Sequence, residues 1–164
     1  MSDLSVASEQ EKVTELGSET TLELGFKQSA IFFGASYIKS FRSVDAGGYF
    51  LVQTDKIKDD VTRVNKIISV GALSKFYAAH SSRSALYLAP GVGVHNINNV
   101  YDFYNLSKKA EYTVIGPIFK IGAQYSVSSS IKMGLEFTRI YNWCDEDVPD
   151  YNLGHASVTM TFEF

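Results

Sequence analysis

From Thr20 to the end of the chain, apolar and polar residues alternate with a period of two, and no helical period persists. Eight such segments are separated by turn signals: Thr20 to Lys27, Ala30 to Phe41, Gly48 to Lys56, Lys66 to His80, Ser84 to Asn96, Glu111 to Ser126, Ser130 to Tyr141 and Asn152 to Phe164. In the last, Ala156, Val158, Met160, Phe162 and Phe164 share one face, and His155, Ser157, Thr159, Thr161 and Glu163 share the other. The seventh sets Ile131, Met133, Leu135 and Phe137 against Lys132, Gly134, Glu136 and Thr138. The sixth sets Pro117, Phe119, Ile121, Ala123 and Tyr125 against Lys120, Gly122, Gln124 and Ser126. The fifth and first follow the same rule, with Leu86 to Val94 against Tyr87 to His95 and Leu22, Leu24 and Phe26 against Glu23, Gly25 and Lys27. Around Phe32-Phe33 and Tyr49-Phe50-Leu51-Val52 both faces are apolar, so the inward side of the second and third strands is not assigned by pattern.

A period of two fits a soluble barrel with a greasy lumen and a membrane barrel with a greasy exterior, so the polar face decides between them. That face mixes Gly25, Gly71, Gly91, Gly93, Gly122 and Gly134 with Lys27, Lys75, Lys120 and Lys132 and with Glu23, Glu136 and Glu163. Small residues and nearly balanced charges suit a narrow lumen packed by side chains. Charges buried there have to pair, which makes these seven the expected lumen charge network. The connectors agree: 42–47, 81–83 and 127–129 are short, whereas 57–65, 97–110 and 142–151 are longer and polar, as an alternation of periplasmic turns and outer loops requires. The connector at Gln28 and Ser29 is the short exception. Tyr101, Tyr104, Tyr112, Tyr141, Trp143 and Tyr151 fall near strand ends, where an interfacial aromatic girdle is expected. The predicted fold is an all-β, eight-stranded antiparallel up-and-down transmembrane β-barrel over residues 19–164. Residues 1–18 are expected to form a polar tail or short helix, with a capping box from Ser8 to Glu11.

The 164 residues suit one domain, and aromatic residues reach 13% with only 3 Pro, a β-rich profile. No apolar run is long enough for a spanning helix. With a net charge of -3 and scattered Lys and Arg, nucleic acid is not an expected partner. Neither a cofactor nor a metal is expected, and the single Cys144 has no metal-ligand spacing around it. No basic-apolar leader opens the chain, so either the protein is cytosolic or the numbered chain is a mature form; the barrel pattern favours the second.

The ending Ser157-Val158-Thr159-Met160-Thr161-Phe162-Glu163-Phe164 and the preceding hairpin Tyr125 to Phe137 resemble those of the small bacterial outer-membrane barrels of the opacity-protein and attachment-invasion type. The resemblance covers residues 20 to 164. It implies a bacterial outer-membrane location, contact with the lipid bilayer and lipopolysaccharide, and insertion by the barrel-assembly machinery, with Phe162 and Phe164 as assembly signal. It does not imply one activity.

Other chemistry carries less. His155 and Ser157, with Glu163 as orienter, resemble the His-x-Ser of lipid A deacylases, but the phase turns them into the lumen. His80 and His95 lie at strand ends without ligand spacing. The acidic run Asp145 to Asp150 lacks the glycine and spacing of a calcium loop, and Gly91-Val92-Gly93 and Gly47-Gly48 do not sit at a strand-to-helix turn. The expected function is therefore a non-enzymatic barrel whose outer loops present surfaces for adhesion to a host ligand or for envelope contact. Transport of a small apolar compound is the alternative if Phe32, Ile38, Phe50, Leu73 and Ile118 line an open lumen. A lipid A-modifying enzyme and a soluble lipocalin-type barrel are the others, the last without its usual early Gly-x-Trp.

Overall fold

The computed structural model describes residues 17–27, 30–41, 44–58, 62–103, 106–141 and 153–164. Its strands are β1 (Ser18–Lys27), β2 (Ala30–Ser40), β3 (Asp45–Lys58), β4 (Thr62–His80), β5 (Ser84–Phe103), β6 (Leu106–Ser126), β7 (Ile131–Ile140) and β8 (Leu153–Glu163). Each pairs antiparallel with its sequence neighbour, and β1 pairs with β8, so the sheet closes into a barrel in the order β1 to β8. Closure leaves no sheet edge inside the membrane, where an unpaired backbone group would be costly. The seam runs from Glu19 opposite Glu163 to Gly25 opposite Ser157 and is fastened at its base by hydrogen bonds in both directions between Ser18 and Phe164. Phe162 is turned partly outward on β8, and the Phe164 side chain stands free below the seam.

The inverted pattern of an integral membrane protein is plain in the burial. Leu22, Leu24, Phe33, Phe50, Val70, Leu88, Val92, Phe119, Leu135, Phe137 and Val158 all face outward and are exposed, so the apolar rows form a belt around the barrel. On β5 the belt runs from Leu86 to Val94, matching the ~9–11 residues a tilted spanning strand requires. Beyond Val94 the same outward row turns polar: the Asn96 amide donates to Glu111 at 3.0 Å and to Thr113 at 3.2 Å, and the Asn98 amide donates to Asn96. At the other rim Tyr37, Phe41, Phe76 and Tyr125 stand exposed near the short turns, the placement of an interfacial aromatic ring. Tyr141 stands at the opposite rim, packed edge-on against Phe119. Tyr112, by contrast, is no girdle residue: it turns inward and packs against the core. Tyr101, Tyr104, Trp143 and Tyr151 lie outside the described side chains.

In two of the expected outer loops the described residues are instead strand. The ladder of β3 with β4 continues to Lys58 opposite Thr62, and that of β5 with β6 continues to Phe103 opposite Leu106. Asn-rich segments have poor strand propensity, and here cross-strand pairing overrides it. Because β2 leaves β3 at Thr54 and β7 leaves β6 at Ile118, the outer ends of β3 to β6 rise as a four-stranded sheet above the closed barrel.

Candidate functional site: a charged and plugged lumen

The second and third strands resolve where pattern did not. Phe32, Gly34 and Ile38 on β2 and Tyr49, Leu51 and Gln53 on β3 point inward and are buried, whereas Phe33 and Phe50 face lipid. Of the five residues considered for an apolar passage, Phe32, Ile38, Leu73 and Ile118 are buried in the lumen; Phe50 is not, because its place on β3 is out of phase with theirs.

The inward rows divide the lumen into two halves. Near the short turns it is polar. Lys120 from β6 lies 2.7 Å from Glu23 of β1 and 2.9 Å from Glu136 of β7, so one ammonium bridges two carboxylates. The Tyr87 hydroxyl donates to the other oxygen of Glu136 at 2.6 Å. The Tyr87 ring carries the Lys75 ammonium 4.3 Å from its centroid. Lys75 pairs with Glu19 and reaches Gln124, which donates to Thr161 at 3.0 Å; Thr161 in turn meets Thr21 at 2.8 Å. Lys132 pairs with Glu163 at 2.5 Å at the mouth. A cavity of about 940 Å³ opens there, lined by Glu19, Asp45, Tyr77, Gln124, Lys132 and Glu163 among others. Only about 10 Å³ of space separates the Lys75 and Lys120 pairs, room for one water at most.

Toward the raised sheet the lumen carries an apolar cluster, with Gln53, Ser69, His95, Asn99 and Thr138 buried on the same inward rows. Leu51, Ile67, Ile97, Val114, Ile118 and Ile140 pack into a core that is essentially inaccessible. His95 is held inside by Ser69 at 2.9 Å and the Gly116 carbonyl at 3.2 Å, and His155 stacks on Phe32 with centroids 4.0 Å apart. His155 and Ser157 are both buried, and Ser157 faces Glu23 and the Glu136 carbonyl, so neither is presented to lipid. Glu163 lies at the turn-end mouth, paired with Lys132.

Of the seven charges read from the alternation, the structure therefore brings Glu23, Lys120 and Glu136 into one cluster, and Lys132 and Glu163 into another. It joins Lys75 to Glu19, which the sequence reading placed outside the network, at the boundary between tail and strand. Lys27 ends β1, and its side chain lies outside the described residues, as do the His80 side chain, the run Asp145 to Asp150, Cys144 and residues 1–16. Among the described residues no cluster of His, Cys, Asp or Glu has the arrangement of a metal site.

The lumen glycines make room for these groups. A Cβ on Gly34 would fall 2.1 Å from a Glu23 carboxylate oxygen, and one on Gly122 would fall 2.4 Å from the Tyr87 ring. Each glycine receives a large side chain from the adjacent strand, which keeps the cross-lumen hydrogen bonds short.

With the polar half ending on packed Ile, Leu and Val, ions have no continuous wet path. Planar-bilayer recordings of the refolded chain should show no steady large conductance; sustained porin-like currents would contradict the packing.

No protein-family model and no curated protein matches the chain in sequence. Solved structures match its fold over nearly its whole length. A major outer membrane protein from Thermus thermophilus superposes with a TM-score of 0.62 at 8% identity, over 90% of this chain and 99% of the other. The attachment invasion locus protein Ail of Yersinia pestis gives 0.57 at 15% identity, over 91% and 96%. The N-terminal barrel domain of Pseudomonas aeruginosa OprF gives 0.57 at 11%, over 90% and 97%. With eight closed antiparallel strands, a lipid-facing belt and a filled lumen, the chain has the fold of these small outer-membrane barrels.

Proposed function

We propose that the protein is a non-enzymatic outer-membrane barrel that holds a raised sheet outside the cell for adhesion or for contact with other envelope components. The observation that carries this reading is the extension of β3 to β6. From Val94 to Phe103, β5 runs roughly 30 Å of strand beyond the belt. A transport device needs a passage, and here the lumen is packed; a lipid-modifying site needs exposed nucleophile and base, and here Ser157 and His155 are enclosed. In contrast, β6 from Leu106 to Ile115 pairs with β5 and, among the described residues, with no strand on its other side, the arrangement of an edge to which a further strand can add. On this reading Phe162 and Phe164 serve the barrel-assembly machinery, which recognises the aromatic end of the last strand.

The test replaces Asn98 to Glu111 with a tight two-residue turn. Bacteria displaying the full chain should adhere to host-cell monolayers better than cells lacking it. The shortened barrel, still folded by its heat-modifiable gel mobility, should lose that gain. Equal adherence of the two forms would refute the proposal.

A further inference from the structure

The cavity at the turn-end mouth is a polar chamber that the adhesive reading leaves unused. It measures about 940 Å³, within the ~300–1,000 Å³ of pockets that hold small organic molecules. A step in the rim shapes it: the β3–β4 ladder stops at Asp45 opposite Lys75, whereas the β4–β5 ladder runs on to His80 opposite Ala85. Tyr77 therefore stands beyond the last β3 pair, 38% exposed in the cavity wall, with its hydroxyl donating to Glu19 at 3.3 Å. Ser40, Ser81, Ser84 and Ser126 contribute further lining.

Charge decides the class of ligand. Lys75 offsets Glu19 and Lys132 offsets Glu163, which leaves Asp45 as the one lining side-chain carboxylate with no ion pair among the described residues. An anion meets three carboxylates and is turned away. An apolar molecule would strand the carboxylates and hydroxyls without water. A polycation finds a single uncompensated charge. A neutral molecule rich in hydroxyls and amides is matched on every count: carboxylates and serines accept from its O–H and N–H groups, and an aromatic ring takes the apolar face of a sugar. We propose that the mouth binds a neutral, N-acetylated glycan of the cell wall, with Asp45 accepting from sugar hydroxyls and the Tyr77 ring against one sugar face. Short turns mark the periplasmic end, so the inference rests on the outer-membrane location and not on the adhesive reading.

The full chain is folded into nanodiscs of dimyristoylphosphatidylcholine and titrated with the β-1,4 tetramer of N-acetylglucosamine, with saturation transfer from protein to sugar protons read by NMR. Wild type should give saturable transfer with a single dissociation constant. Asp45→Ala should raise that constant about tenfold, the worth of one charge-assisted hydrogen bond. Tyr77→Leu should raise it several-fold, and Lys39→Gln, on the outer wall at the same end, should leave it unchanged. Heat-modifiable gel mobility checks that each variant is folded, and Asp45→Asn, which keeps an acceptor, should bind better than Asp45→Ala. Absence of saturable transfer to wild type overturns the proposal; the full chain is used, so a mouth already filled by residues 1–16 gives that result. Wild-type affinity in both Asp45→Ala and Tyr77→Leu overturns it as well. Tighter binding of the deacetylated, cationic tetramer, the mark of an amine site, overturns it too, as does equal competition by the core oligosaccharide of lipopolysaccharide, the mark of a site without preference for the cell-wall sugar. Adherence of the shortened barrel is unaffected by any of these outcomes, so the two readings fail separately.

Discussion

Replacing Lys120 with Met should be the most damaging single change in the lumen, at about 3 to 5 kcal/mol, the usual cost of stripping a buried ion cluster of its partner. Lys120 is the only described cation touching both Glu23 and Glu136, and all three are buried. Without it two carboxylates face one another in a space that holds little water. Glu136→Leu should cost less, about 1 to 3 kcal/mol, because Lys120 keeps Glu23 and the main loss is the acceptor for the Tyr87 hydroxyl. Removing all three charges together, as Lys120→Met with Glu23→Leu and Glu136→Leu, should restore much of the stability. Urea unfolding in one vesicle composition measures all three. A Lys120→Met barrel as stable as wild type would mean that the carboxylates do not depend on it.

Ile121→Arg is expected to cost about 2 to 4 kcal/mol in the bilayer, since a cation near the middle of a lipid-facing row has no route to the interface. Ile121 is 58% exposed on β6, beside Phe137 of β7 and Leu88 of β5, all three in the belt. Thr113→Arg on the same outward row, beyond the belt and beside Asn96, should change stability by no more than about 0.5 kcal/mol. The pair reads the belt's upper limit directly. Equal effects at the two positions would show that Ile121 does not face hydrocarbon.

The barrel was legible in the sequence where lumen and exterior differ in polarity. On β1 and β5 to β8 the polar face meets other polar side chains inside, so alternation assigned the phase. On β2 and β3 it disappeared because Phe32, Ile38, Tyr49 and Leu51 belong to apolar parts of the lumen, making both faces greasy. Phe50 was open to misplacement for the same reason. Glu19 was missed because β1 begins in a polar stretch with no apolar neighbour to mark its first residues, and only pairing with β2 and β8 makes Ser18 and Glu19 strand. The length of β4, β5 and β6 escaped because asparagines and charged residues read as loop, whereas the ladder carries them outward. Whole-chain topology, not local preference, set those ends. Tyr87 read as one more inward side chain; its role as donor to Glu136 depends on the glycine opposite, Gly122, which leaves its ring room to cross.

The ion cluster also joins the two ends of the chain. Glu23 stands 97 residues from Lys120, and Thr21 stands 140 residues from Thr161, with both contacts reaching from β1 to the last three strands. The Thr21 contact needs the final strand beside the first, and the Glu23 contact needs β1 brought across the lumen to β6. They act as a clasp on a finished ring, adding little to the early stages of assembly and much to the difficulty of reopening. Weakening the clasp should therefore show chiefly as faster unfolding, with the rate of folding little changed.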